Sequence, residues 1–231
     1  MKILLVFLLI LIILSFLVFI RKQNFDQKIK ILVISLPASS RRERVKTIFD
    51  EQNLQFEFID GVKIQNDQDL ANILKTFDIN EIDHISNLKW GDVGCGLAFL
   101  NACKYIIDNN IQNVLLCEDD PEFKEGIEVF KTSPETYLGK CNWLMVHPHI
   151  KENYGMNGQI VNIEGAKQLW DQRHLVVNKL LNDIPIDISI IDNTIGVNID
   201  WCDCEAYNIP YILQQYYPAN DGEHSERIQL N

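Results

Sequence analysis

The sequence predicts an α/β domain, a mostly parallel sheet flanked by helices, carried behind one N-terminal transmembrane helix. Three observations predict it. Apolar runs of strand length alternate along the chain with segments of helical periodicity, an order that favours parallel strands joined by crossover helices. Two of those runs, KILVISL at 30–36 and NVLLC at 113–117, are apolar without alternation, as strands covered on both faces are. Residues 3–20 form an unbroken apolar stretch in which Ser15 is the only polar side chain.

That stretch makes a helix about 27 Å long at 1.5 Å per residue, close to the roughly 30 Å hydrocarbon core of a bilayer. It is longer than the apolar region of a signal peptide and stops at Arg21-Lys22 with no A-x-A-like cleavage pattern. The expectation is an uncleaved single-pass anchor at 1–22, a polar linker at 23–29 and one domain at 30–231. Arg21, Lys22, Lys28 and Lys30 outweigh Lys2 and the terminal amine, so the charge bias leaves the domain on the cytoplasmic side. The chain contains no N-x-S/T acceptor, which points the same way.

After the linker, Pro37 ends the first strand and Ser39 and Ser40 offer helix N-caps. Val45, Ile48 and Phe49 follow at helical spacing. Residues 54–59 alternate as a second strand, closed by Asp60-Gly61. A short helix is expected at 67–77 and a stronger one at 92–108, with Val93, Leu97, Leu100, Ile106 and Ile107 on its broad apolar face. The NVLLC strand runs into Glu118-Asp119-Asp120. Further strands are expected at 143–146 and 159–163, one long helix at 164–181, and a strand at 211–217. In such a sheet, ligands sit beyond the carboxyl ends of the strands. The Pro37–Arg44 turn, Asp60-Gly61 and the acidic triplet should all lie there.

The 231 residues carry 21 Lys plus Arg against 32 Asp plus Glu, a net charge of −11. That field repels a phosphate backbone, so no nucleic-acid partner is expected. It also repels small anionic substrates unless a metal or an arginine cluster reverses the sign locally. Six cysteines, at 95, 103, 117, 141, 202 and 204, form no C-x-x-C pair, so zinc-ribbon and redox-motif readings fail on spacing. The expectation is six reduced thiols.

The acidic triplet carries the chemistry. Three consecutive carboxylates repel one another, and a divalent cation offsets that repulsion, because Mg²⁺ and Mn²⁺ take oxygen ligands and share them with a diphosphate. In extended chain Glu118 and Asp120 point to one side and Asp119 to the other. Spacing alone also permits a solvated turn.

Ile34-Ser35-Leu36 followed by Arg41-Arg42, and then Phe56-x-Phe58-x-Asp60-Gly61-Val62, resembles the opening of glycosyltransferase family 25. That family holds bacterial lipooligosaccharide galactosyltransferases and collagen galactosyltransferases. Gly91-x-x-Gly94-Cys95-x-Leu97 leading to Glu118-Asp119-Asp120 with Phe123 after it, Gly165-Ala166-x-x-Leu169, and Pro185-Ile186-Asp187 resemble later blocks in the same order. The resemblance spans roughly residues 30 to 190. It implies a GT-A-like nucleotide-sugar fold, a UDP-galactose or UDP-glucose donor, a glycan or protein hydroxyl acceptor, and inversion at the anomeric carbon. It puts Glu118 and Asp120 at the Asp-x-Asp-like motif that meets Mn²⁺ or Mg²⁺, with Glu118 also on the donor. It puts Arg41 and Arg42 near the nucleotide, Asp60 at the uridine end, and Asp187 as the base. Where the family carries Ser-His after the Gly-Cys block, this chain has Ala98-Phe99. A catalytically degenerate glycan- or protein-binding member is therefore the alternative, and a metal-dependent phosphohydrolase is a third reading that the triplet alone permits.

His147 and His149, and the acidic group Asp200, Asp203 and Glu205 around Trp201, are weaker constellations. The histidine pair has no identifiable third ligand in sequence and is expected to be surface or structural; the acidic group is expected in a solvated loop, with an alternative base or acceptor contacts as the other reading.

Overall fold

A computed structural model describes residues 29–79, 90–123, 141–146, 158–181, 201–203 and 213–215. The expected membrane anchor and the linker up to residue 28 lie outside these residues; Ile29, expected as the last linker residue, is buried in the core. Among the described residues no helix is long and apolar enough to cross a membrane.

The elements run β1 (Lys30–Ser35), α1 (Arg41–Glu51), β2 (Glu57–Asp60), α2 (Asp67–Thr76), α3 (Trp90–Asp108), β3 (Asn113–Glu118), β4 (Pro121–Phe123), β5 (Trp143–Met145), β6 (Gly158–Asn162), α4 (Ile163–Asp171), α5 (Arg173–Leu181), β7 (Trp201–Asp203) and β8 (Leu213–Gln215). Six strands form the central sheet in the order β2-β1-β3-β6-β5-β7, and β4 pairs with β8 apart from it. β1 lies parallel to β2 and β3, and β5 parallel to β7. β6 runs against both its neighbours, β3 and β5, so the expected mostly parallel sheet holds for five of its six strands and carries one reversed strand. A short apolar run has no direction written in it; the connection that feeds the strand decides direction. The sequence pattern could not show this reversal.

The apolar strands divide their side chains between two cores. On one face Ile31, Val33, Leu115 and Cys117 pack with Val45 and Phe49 of α1. On the other, Leu32, Ile34, Val114 and Leu116 pack with Leu97, Phe99 and Ile106 of α3 and with Leu169, Val176 and Leu180 of α4 and α5. The period of two in β1 and β3 feeds both layers, which is why these strands read as continuous apolar runs.

Three helices end in the same way. Asn53, Asp78 and Asn110 take positive φ after α1, α2 and α3. In each case the next residue (Leu54, Ile79, Ile111) donates its backbone N–H to the carbonyl five residues back, on Phe49, Leu74 and Ile106. This is the Schellman closure, with an apolar residue folding back onto the helix it terminates. At the start of α2, Asn66 caps the helix by accepting from Asp69 N.

The single helix expected at 164–181 is two. Gln172 leaves the helical region, and Arg173 turns to donate from Nε to Phe77 O at 2.8 Å, its guanidinium 4.9 Å from the Trp170 ring centroid. The break lets both halves keep their apolar faces on α3.

Cys95, Cys103 and Cys117 are free thiols, and burial pushes those of Cys103 and Cys117 far above the ordinary thiol range. Cys141 is disulfide-bonded, which corrects the expectation of six reduced thiols. Spacing carries no information about such a bond, because pairing is set by the fold.

At the end of the sheet away from the acidic triplet, Lys30 Nζ lies 2.7 Å from Glu57 Oε2, and Tyr105 Oη donates to Glu57 Oε1. The hydrogen bond from Lys30, then that from Tyr105, holds the Glu57 carboxyl below its ordinary value. A carboxyl depressed in the folded state contributes stability above its unfolded value and loses it as pH falls through the folded one. Glu57→Gln is therefore expected to lower stability by about 0.5–1 kcal/mol at pH 7, a partly exposed ion pair's worth. Urea melts at several pH values check it: the gap between wild type and variant should close below about pH 4.

Candidate active site

The strand order reverses at β1. The chain leaves β1 for β2 on one side and returns to place β3 on the other. The carboxyl ends of β1 and β3 therefore flank a topological switch point, the place where open α/β sheets bind ligands. Register sets Ser35 beside Asp60 and Ile34 beside Glu118, so the ends of all three strands reach the same level.

Five of the six residues expected at the site meet at that end. Arg41 and Arg42 open α1, directly beyond β1. Arg42 Nη2 donates to Ser35 O at 2.8 Å and to Asp60 Oδ1 at 2.7 Å, and its guanidinium lies 4.6 Å from the Phe58 ring centroid. Its Nε is buried without a hydrogen-bond partner among the described residues, a cost of about 1–3 kcal/mol carried beside the site. Glu118 ends β3, and Asp120 follows it at 3% exposure. Asp187 lies outside the described residues, as do His147, His149, Asp200 and Glu205.

The triplet splits across the sheet as alternation requires. Glu118 turns to the α3 face, where Cys95 Sγ donates to its Oε1 at 2.9 Å. Asp119 turns to the α1 face. Its Oδ2 accepts from Ser35 Oγ at 2.6 Å and Ser39 Oγ at 3.0 Å, and its Oδ1 from Arg41 Nη1 at 3.2 Å. Sequence reasoning put Ser39 and Asp119 at the ligand end of the sheet but gave Ser35, Ser39, Asp119 and Cys95 no role of their own. For Asp119 the strand period already gave the side; its partners come from a turn 80 residues away and are visible only in the fold.

Glycines set the approach of α3. A Cβ on Gly94 would meet Val62 O at 2.4 Å, so the helix is pressed against the segment after β2, and that contact brings Cys95 to Glu118. Gly61 donates its backbone N–H to Ser35 O at 2.8 Å, closing β2 onto β1. Ala98 and Phe99, the departure from the Ser-His pattern, are 2% and 1% exposed and belong to the α3 core, so in this chain those positions serve packing.

Four carboxylates (Asp60, Glu118, Asp119, Asp120) face two guanidiniums (Arg41, Arg42), a formal net charge of −2 before any ligand arrives. Alone, this would repel a diphosphate. Among the described residues no three His, Cys, Asp or Glu converge as a complete cation site. Two hard oxygen ligands, Glu118 and Asp120, nevertheless suit Mg²⁺ or Mn²⁺, which fill their remaining positions with substrate phosphates and water. In residue chemistry alone, these two carboxylates fit such an ion.

Cys95→Ala removes the donor to Glu118, while Cys95→Ser keeps one. If Glu118 takes a cation, as the resemblance implies, the alanine variant is expected to lose about three- to tenfold in turnover at sub-saturating Mn²⁺, one modest hydrogen bond's worth. The serine variant should stay near wild type. A Mn²⁺ titration of each reads the difference.

Residues 28–154 match the model of glycosyltransferase family 25 (LPS biosynthesis protein). Two proteins of Haemophilus influenzae are similar. One is named "Putative glycosyltransferase" and is 28% identical over 182 residues, covering 70% of this chain and 62% of that protein. The other is lipooligosaccharide biosynthesis protein lic2B, 26% identical over 165 residues, covering 59% of this chain and 60% of that protein. The chain thus spans about three-fifths of the length of the curated relatives it matches. Among solved structures, a glycosyltransferase involved in glycosylation of the major capsid of PBCV-1 superposes with a TM-score of 0.47 at 10% identity, covering 86% of this chain and 97% of that one.

Proposed function

The chain belongs to glycosyltransferase family 25, and we propose that it transfers a hexose, galactose or glucose, from a UDP-sugar to a hydroxyl of a glycan or protein acceptor, with inversion. A GT-A-like donor site at the β1/β3 switch point is part of the same reading. The observation that carries it is the convergence of Arg41, Arg42, Asp60, Glu118 and Asp120 at one end of three adjacent strands.

Glu118 and Asp120 would hold Mg²⁺ or Mn²⁺, which when bound supplies positive charge beside the donor diphosphate. Arg41 and Arg42 stand at the same crevice, placed to stabilise the negative charge that develops on the leaving UDP. Asp60, paired with Arg42 and largely exposed, is the candidate contact for the uridine end. In the transfer the acceptor oxygen bonds to the anomeric carbon as the bond from that carbon to the phosphate oxygen breaks. The bonding pair leaves with UDP, and the acceptor proton passes to a carboxylate on the far side of the sugar, for which Asp187 is the candidate. UDP is already a good leaving group and needs no acid. A cell-surface glycan is the acceptor class we favour, in keeping with the name of lic2B, and a membrane anchor at residues 3–20 would keep the domain near a lipid-linked one.

The test is UDP release from UDP-galactose, UDP-glucose and UDP-N-acetylglucosamine, with Mn²⁺ or with chelator. Slow release from one hexose donor, lost with chelator, is the expected result. Metal-independent release, or none together with no donor-induced rise in Tm, would count against it.

A further inference from the structure

We propose that Asp119 is a positioning residue rather than a metal ligand: it locks Arg41 and the β1–α1 turn at the switch point for the donor diphosphate. The inference rests on the donor-binding reading above and assigns separate work to the members of the triplet.

A carboxylate offers about four acceptor sites. Asp119 uses its oxygens on Ser35, Ser39 and Arg41, drawn from the end of β1, the following turn and the first residue of α1. Its side chain and that of Arg41 are 12% and 13% exposed. To take a cation, Asp119 would have to give up donors that are themselves buried, since Ser35 and Ser39 are 3% and 8% exposed. Glu118 points the other way, to Cys95, so the two side chains do not share a face.

Helix α1 supplies an independent reason. Its first two residues are arginines, which the positive end of the helix dipole disfavours. Ser40, at its N-cap, makes no side-chain cap hydrogen bond. Ser39 Oγ instead accepts from Arg41 N at 3.2 Å while donating to Asp119. Asp119 thus supplies negative charge at the helix start, satisfies the turn through Ser39 and fixes one edge of the Arg41 guanidinium. Local rules are broken in this way where a site requires it. A guanidinium held at Nη1 keeps a set direction in the crevice, and a preorganised charge loses less on binding.

Calorimetry on the full 231-residue chain in detergent tests this, with Mn²⁺ alone and with UDP in saturating Mn²⁺. Asp119→Asn should keep Mn²⁺ affinity within about twofold of wild type and weaken UDP about tenfold, the loss of one charge-assisted hydrogen bond. Arg41→Gln leaves the triplet intact and should show the same pattern, which covers the case in which the Asn variant folds poorly. The double variant should be no weaker than either single one, because both remove one coupled unit. Asp120→Asn, the control, should lose Mn²⁺ binding. Asp119→Asn weakening Mn²⁺ as much as Asp120→Asn would make Asp119 a ligand and overturn the proposal. Unchanged UDP affinity, or additive losses in the double variant, would overturn it too while leaving the donor reading standing. A wild-type chain that binds Mn²⁺ but no UDP would overturn both.

Discussion

Asp120→Asn is expected to lower metal-dependent donor turnover by at least about a hundredfold, the scale on which losing one preorganised electrostatic group acts. The variant should keep its fold. Asp120 is 3% exposed, and an amide of the same shape keeps its packing. Activity should therefore fall much further than any change in Tm accounts for. Initial rates of UDP release beside a thermal melt read both halves. A variant as active as wild type would remove Asp120 from the proposed metal site; one that loses activity only through a lower Tm would make it a structural residue.

Gly94→Ala is expected to destabilise the domain by about 2 kcal/mol. Helix propensity alone predicts the opposite sign, since Ala in place of Gly in a helix interior stabilises by about 1 kcal/mol. Here the new Cβ would sit 2.4 Å from Val62 O, a backbone atom in the segment after β2 that cannot rotate away. Forcing α3 outward costs about 3 kcal/mol, at the upper end of the usual overpacking range, and outweighs the propensity gain. The fall in Tm should be about 4–8 °C for a domain of this size. The same displacement moves Cys95 away from Glu118, so on the proposed metal reading the Mn²⁺ requirement should shift to higher concentration in the folded fraction. A Tm at or above wild type would mean that α3 has more room than this geometry allows.

These expectations rest on parts of the molecule that differ in how far the sequence reveals them. The runs at β1 and β3 were legible because strands covered on both faces need apolar residues at every position. α1 was legible from the helical spacing of Val45, Ile48 and Phe49, and a short helix was expected where α2 lies, although Ser40 makes no side-chain cap hydrogen bond. Alternation also assigned Glu118 and Asp119 to opposite faces, which the contacts with Cys95 and with Ser35, Ser39 and Arg41 bear out. The reversed direction of β6 was not legible, because pairing direction depends on connections rather than on composition. Nor was the break at Gln172, where Arg173 finds a carbonyl some 96 residues away. Bonding at Cys141 is likewise a property of the fold. Disulfides persist in oxidising compartments, whereas the flanking charges favour a cytoplasmic domain, so the two indications oppose each other. Asp187 and the two histidines lie outside the described residues, and the base remains an assignment by resemblance.

Hydrogen–deuterium exchange, read by mass spectrometry with and without UDP-galactose or UDP-glucose plus Mn²⁺, addresses the donor site most directly. The account predicts protection concentrated in the backbone of residues 35–42, 60–62 and 118–120, the three segments that meet at the β1/β3 switch point, and its loss in Asp120→Asn. Protection confined to other segments, with these three unchanged under saturating ligand, would contradict it.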